Sequence, residues 1–351
     1  MPNHRHAIAC IVPPDLLRDI IRGGNQEERE AAADTMAVDQ TFRTLRTAFA
    51  ATVAATQVAM RPMGGMGGSP QRTVYDQKHS TAIALGTIAR TEGQKKVKDP
   101  AVNEAYDGFG ATYKLFWEVY GRNSIDNAGM PMLGLVHYST NYANAFWDGQ
   151  GHMFFGDGDG QLFTRLTASL DVIGHELTHG VTQFEANLVY QGQSGALNES
   201  MSDVFGSLTK QYAKKQTAAQ ADWLIGNDVV GPTLRPALRS MKAPGTANQY
   251  DKQPASMDHY VYTAADNGGV HVNSGIPNHA FYTTATQLGG KAWEKAGRIW
   301  YDSLRDEKMR PTSGFKSFAR ATLRQAEIRF GAGSAEVNAV QAGWDKVKVK
   351  P

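Results

Sequence analysis

Residues 169–184, SLDVIGHELTHGVTQF, constrain this chain more than any other stretch. Leu170, Ile173, Leu177 and Val181 recur at helical spacing and form one apolar stripe, which predicts a helix buried along that side. His175 and His179 stand one turn apart on another face, so their imidazoles project together and can share one ion. The fold must therefore bury this helix and bring a further ligand to its histidine face.

With Glu176 between them, the two histidines spell H-E-x-x-H, a zinc-peptidase signature that needs a third ligand close in space. The stretch GALNESMSDVFG supplies one in Glu199, twenty residues beyond His179. Asp203, one turn further, lies on the same face of a second helix and is placed to accept a hydrogen bond from a ligand imidazole, which fixes the histidine tautomer. Two helices then build the whole metal site.

A chain of 351 residues predicts roughly two domains of about 150 residues each. Hydrophobic residues at 41% and charged residues at 20% are ordinary for a globular protein, so the bulk should fold. A net charge of +2 is too balanced to point to nucleic acid or a membrane surface as partner. Cys10 is the single cysteine, which excludes an internal disulfide and a cysteine-based structural zinc site. No apolar run approaches the roughly 18 residues of a membrane span. The N-terminal MPNHRHAIACIVPPDLL is interrupted by Pro13 and Pro14 after about six apolar residues, too short for a Sec signal, so both cytoplasmic residence and a non-Sec export route stay open.

Residues 26–60 are rich in alanine and other helix formers without Gly or Pro and read as one or two helices. The following RPMGGMGGSPQ, with four glycines and two prolines, reads as a flexible linker. It is not a phosphate-binding loop, because no strand leads in and no Lys-Ser/Thr follows. From Arg72 to about Asp159 short strand-like segments (MLGLVHYS, NAFWDG, GHMFFGDGDG) alternate with turns, and Asp99 and Pro100 are placed to open one helix. The charged GQKKVK at 93–98 reads as a solvated loop. After Ser169 the pattern is mainly helical, as in FKSFARATLRQAEIRF and SAEVNAVQAGWDKV.

HELTH followed by NESMSD resembles the thermolysin family of zinc metallopeptidases, the gluzincins. NYANAFWDG at 141–149, FGDGDGQLF at 155–163 and DNGGVHVNSGIPNHAFY at 266–282 are similar to family signatures in the family's order, so the likeness spans about 72–351. It implies an α+β fold of two domains, a β-rich N-terminal one (72–183) and a mainly helical C-terminal one (184–351), joined by the zinc-binding helix. A partly helical propeptide (1–60) and a linker (61–71) would precede them.

The resemblance also implies roles. One zinc ion on His175, His179 and Glu199 keeps a position for water and lowers that water's pKa toward about 7. Glu176 is then the general base that passes the proton to the leaving amine. Tyr190 and His271 match the family's oxyanion donors, with Asp266 orienting the histidine. Asn144 and Ala145 match the segment that pairs with substrate backbone, and Arg239 the donor to a substrate carbonyl. Phe163, Leu166, Val172, Ile225, Val229 and Leu238 match the pocket for the residue after the scissile bond. All are apolar, which implies a preference for Leu, Phe, Ile or Val there, whose burial contributes about 1.5 to 3 kcal/mol.

The chain departs from the family at the calcium double site. Asp171 and Asp222 match ligand positions, but Lys210, Leu224 and Asn227 fill three others, and a cation cannot belong to a cage of oxygens around Ca²⁺. The expectation is that Lys210 replaces the ion. DGDG at 157–160 lacks the twelfth-position acid of a calcium loop and reads as a tight turn.

CIVPPDLL at 10–17 resembles the protealysin-like subgroup, whose short propeptide carries a Pro-Pro-Leu-type motif and inhibits its own enzyme. Here Asp15 separates Pro13 and Pro14 from Leu16. Two prolines stiffen an extended strand, suited to lying in a cleft uncut. Cys10, just before them, is placed for its thiolate to take the water's position on zinc. Maturation is expected between Thr47 and Gln71. The partners implied are a peptide or protein substrate and the chain's own propeptide, with a separate protein inhibitor left open. Two rival readings stand beside the endopeptidase: a silent zinc-binding scaffold, and an aminopeptidase, which would need a G-x-M-E-N segment that this sequence lacks.

Overall fold

The computed structural model describes residues 9–53 and 68–351. Most of the stretch expected to carry the maturation cut, from 54 to 67, lies outside the described residues.

The N-terminal part opens with a two-residue strand, β1 (Ala9–Cys10), followed by α1 (Pro14–Gly23) and α2 (Gln26–Val53). The described part of the alanine-rich stretch, up to Val53, thus forms one helix. Pro13 is extended (φ −65°, ψ 136°) and caps α1, while Pro14 occupies its first turn, where the missing N–H costs nothing. Only the first of the two prolines is therefore extended, and it follows the strand rather than lying in it. Leu16, Leu17 and Ile20 form the buried stripe of α1.

The strands of the next part are β2 (Arg72–Asp76), β3 (Thr87–Thr91), β4 (Met132–Val136), β5 (Ala145–Trp147) and β6 (His152–Phe155), with α3 (Pro100–Lys114) between β3 and β4. Asp99 caps α3 by accepting from the Ala101 and Val102 N–H groups, as its position before Pro100 predicts. The sheet order is β1-β5-β6-β4-β2-β3, so the N-terminal strand adds itself at the edge, antiparallel to β5. The GQKKVK segment is a turn and coil, as expected.

Strand alternation divides the sheet's side chains between two faces. Val136, Ala145, Trp147, Met153 and Phe155 join the large core that includes the helices of both parts. Leu135, Phe146 and Phe154 point the other way, into a small cluster with Tyr138, Tyr142 and Cys10. On the first face Gly134 leaves room for the Phe109 ring of α3; a Cβ there would lie 2.8 Å from it.

Helix α4 (Leu170–Phe184) is buried on nearly every side and packs against α5 (Gly192–Ala213). Gly174 and Gly206 set the approach, since a Cβ on Gly206 would stand 2.4 Å from the Asp171 carbonyl oxygen. The short pair β7 (Leu224–Ile225) and β8 (Arg239–Ser240) precedes five helices, α6 (Asp266–Asn273), α7 (Gly275–Leu288), α8 (Ala296–Leu304), α9 (Phe315–Phe330) and α10 (Ala335–Lys346). The result is the two-part α+β architecture, with β1 at the sheet edge beside α4 and the helices after it hydrogen-bonded to Thr233 and Lys252 of the C-terminal part.

Candidate active site

The close contact of α4 and α5 turns the histidine face of one helix onto the acidic face of the other. His175 Nδ1 donates to Asp203 Oδ1 at 2.9 Å, and His179 Nδ1 donates to Asn198 Oδ1 at 2.8 Å, with Ser202 Oγ 3.0 Å away. Asp203, held ionised, only accepts, so the His175 proton is on Nδ1 and its Nε2 lone pair is free. The two Nε2 atoms face one another at 2.9 Å, and Glu199 brings its oxygens to 3.5 Å from each. Among the described residues these three form the one group able to hold a metal, with ligand atoms within 4.8 Å of one another.

Zinc fits this donor set. Two imidazole lone pairs aimed at each other repel, and the buried Glu199 Oε2 has no hydrogen-bond partner among the described residues. A cation between them satisfies all three. Burial and the neighbouring His175 hold the His179 pKa well below its ordinary value, which favours the neutral form that ligates.

Asp203 also binds Arg239 through two bonds, to Nη2 at 2.7 Å and Nε at 3.0 Å, and accepts from Asn278 Nδ2 at 2.8 Å. Burial alone would raise this carboxyl, but Arg239 and His175 outweigh it and hold it well below the usual carboxylate range. One acid thus fixes both a ligand imidazole and the guanidinium.

Tyr190 Oη hydrogen-bonds Glu199 Oε1 and lies 3.3 Å from His271 Nε2. His271 is oriented by Asp266, whose Oδ1 accepts from Nδ1 at 2.7 Å and whose Oδ2 accepts from the backbone N–H at 2.9 Å. Asp266, Asn267, Gly268 and Gly269 all take left-handed φ values, a conformation that Asn and Gly adopt at low cost and that folds Asp266 back onto the histidine. Burial opposes protonation of His271, yet Asp266 and Glu199 prevail and hold its pKa well above the usual value.

Glu176 is fully buried and neither carboxylate oxygen has a hydrogen-bond partner among the described residues. Burial, then the Cys10 thiol and the Glu199 carboxylate, push its pKa well above the ordinary range. The cleft above it is filled by the N-terminal strand, whose backbone meets His271, Arg239, Asn144 and Ala145.

Comparison with known proteins accounts for this constellation. The family description "Thermolysin metallopeptidase, catalytic domain" matches residues 50–183, and "Thermolysin metallopeptidase, alpha-helical domain" matches 186–349. The chain belongs to the thermolysin family of metallopeptidases. It is 45% identical over 350 residues to an extracellular metalloprotease of Pectobacterium carotovorum subsp. carotovorum, covering 98% of this chain and 97% of that one. It is 41% identical to protease PrtS of Photorhabdus sp. (strain Az29), covering 97% and 92%. The solved precursor of protealysin, the metalloproteinase of Serratia proteamaculans, is similar with a TM-score of 0.85 and 47% identity over 97% of this chain and 100% of that one. The chain is a zinc metalloendopeptidase in precursor form, and its N-terminal helices are the propeptide.

Of the residues singled out from the family likeness, Tyr190, His271, Asp266 and Arg239 join this hydrogen-bonded centre. Phe163, Leu166, Val172, Ile225, Val229 and Leu238 are all buried in the large core together with Ile11 of the propeptide. Lys210 Nζ is held among Asp171 Oδ2 at 2.6 Å, the Leu224 carbonyl at 2.8 Å, Asn227 Oδ1 at 3.0 Å and Asp222 Oδ1 at 3.1 Å.

Cys10 differs from expectation. Its thiol lies 3.5 Å from the Val12 carbonyl and packs in the aromatic cluster, outside the metal-binding group. The cause is register: Cys10 is paired with Phe146, and paired residues share a face of the sheet, here the face turned from α4. Asn198, Ser202 and Asn278 were not anticipated as partners of the site. Asn198 and Ser202 flank Glu199 in NESMS at helical spacing, which was the available signal.

Proposed function

We propose that the cleft cuts peptide bonds on the amino side of large apolar residues, with Glu176 as general base. The observation that carries this reading is the group His175, His179 and Glu199 beside a buried carboxylate that no side chain among the described residues hydrogen-bonds. When bound, zinc polarises the substrate carbonyl and acidifies the attacking water.

The chain's own groups do the rest. Glu176 takes the water's proton and delivers it to the leaving nitrogen. His271, kept protonated by Asp266, and Tyr190 donate to the oxygen that becomes an oxyanion. Asn144 and Ala145 offer backbone pairing at the β5 edge, and Arg239, braced by Asp203, holds the carbonyl after the scissile bond. The six apolar pocket residues select Leu, Phe, Ile or Val, and Ile11 of the propeptide strand is buried in the same core as these residues, which supports this choice. The propeptide, proposed as 1–60 with a linker at 61–71, blocks the cleft until it is cut away. The catalytic part then runs as 72–183 and 184–351. Lys210 takes the place of calcium, so a single zinc is the metal complement.

The deciding experiment is cleavage of a peptide library by the processed protein with and without a zinc chelator, beside Glu176→Ala. Cutting before Leu, Phe or Ile that is lost with chelator and in the variant supports the reading. A processed, zinc-loaded protein that cuts nothing makes it a silent scaffold, and removal of single N-terminal residues makes it an aminopeptidase.

A further inference from the structure

The propeptide strand does more than cover the cleft: its backbone is laid out as a substrate's would be. The Cys10 carbonyl accepts from His271 Nε2 at 2.8 Å, the bond assigned above to the scissile carbonyl. The next N–H, that of Ile11, donates to the Ala145 carbonyl at 3.2 Å. The Ile11 carbonyl accepts from Arg239 Nη1 at 2.8 Å, and the Val12 N–H donates to Asn144 Oδ1 at 3.0 Å. Chain direction agrees, since β1 runs antiparallel to β5. Alternation sends the Cys10 side chain to the outer face and Ile11 inward, to the buried core that contains Phe163, Leu166, Val172 and Leu238.

We propose that Cys10–Ile11 is a bond this enzyme hydrolyses in itself, so that the inhibitory strand is a slow substrate held in register. The inference rests on the endopeptidase reading above. Water adds to the Cys10 carbonyl carbon, Glu176 accepts one of its protons, and the C–N bond to Ile11 breaks as that proton passes to the Ile11 nitrogen. The products are a Cys10 carboxylate and a free Ile11 amine. Pro13 does not protect this bond, because it lies two residues beyond Ile11 and the last strand N–H in use is that of Val12. The cut is separate from maturation between 47 and 71 and opens the strand from its other side. After it, the Ile11 end stays attached to α1, whose Leu16, Leu17 and Ile20 remain buried, so the cleaved form still shields the pocket.

The full-length precursor, supplied with zinc, is incubated at several concentrations and followed by intact mass and N-terminal sequencing, with an unrelated Leu-containing peptide as an activity control for processed enzyme. The expected result is a species beginning at Ile11 that forms at a rate independent of protein concentration. It is absent in Glu176→Gln, is kept in Ile11→Leu, and slows about tenfold or more in Ile11→Ala. Cleavage of the control peptide without any Ile11 terminus overturns the inference, as does an Ile11 terminus whose rate grows with concentration. Failure to cut the control peptide as well would instead overturn the endopeptidase reading on which the inference stands.

Discussion

Lys210 extends its ammonium to 2.6 Å from Asp171 Oδ2, and both side chains are almost wholly buried. Burial would lower the lysine pKa, but Asp171 and Asp222 outweigh it and raise it, so the group is charged. On the proposal that this cation stands in for a divalent ion, stability does not depend on calcium. Thermal midpoints of the processed enzyme should therefore be the same with and without a calcium-selective chelator. Lys210→Met strands the Asp171 charge in the interior and should cost about 3 to 5 kcal/mol, measured by denaturant unfolding. A calcium-dependent midpoint in the unaltered protein would refute the assignment.

Glu176 lies on α4 beside a ligand but is not one, so its chemistry and metal binding are separable. Glu176→Gln keeps the size of the side chain and removes the base. Peptide cleavage should fall by at least about 10² to 10⁴-fold while zinc content by elemental analysis stays at one per chain. Loss of zinc together with activity would mean that Glu176 acts on the metal site and not on the proton.

The zinc ligands were legible because helical spacing alone places His175 and His179 together and Glu199 and Asp203 on one face. Arg239, Asn144 and Tyr190 lie far apart in the sequence and became readable only through family likeness. The His179 contacts to Asn198 and Ser202 depend on how α5 is rotated against α4, which the Gly174 and Gly206 approach sets and no periodicity reveals. The Cys10 thiol was misplaced for a different reason. A two-residue strand has no pattern of its own, and a shift of one residue exchanges the faces, so only the pairing with Phe146 decides which of Cys10 and Ile11 looks inward.

His137, at the end of β4, is held between two carboxylates, with Nδ1 2.8 Å from Asp157 and Nε2 2.7 Å from Asp99, and a tilted His79 ring nearby. The Asp157 bond, against burial and together with the Asp99 bond, pushes its pKa up to about 9 from the ordinary 6.5. A pKa raised on folding adds stability that is complete below about 6.5 and is lost as pH rises through about 9. Asp99 also caps α3, so the loss loosens the helix start against the sheet. The thermal midpoint should fall by a few degrees between pH 6.5 and 9.5, and His137→Gln should remove that slope. An unchanged slope in the variant would assign it to other groups.

Asp39 of α2 is buried against the cleft edge, where it accepts from Tyr142 Oη and from Asn144 Nδ2, the latter at 3.2 Å. Asn144 in turn presents Oδ1 to the Val12 N–H, so the propeptide carboxylate orients the amide that grips the propeptide strand. A hydrogen bond contributes roughly 0.5 to 1.5 kcal/mol net, and Asp39→Ala removes at least the two named here while leaving the residues of the catalytic part unchanged. At about 1.4 kcal/mol per decade, the uncut precursor should then gain roughly tenfold or more in peptide cleavage. The measurement is the initial rate before any processed chain is visible, compared with the rate after full processing. The processed enzyme should be indifferent to the substitution, because α2 is no longer attached to it. Equal latency in variant and parent would show that α1 and β1 hold the cleft closed without Asp39.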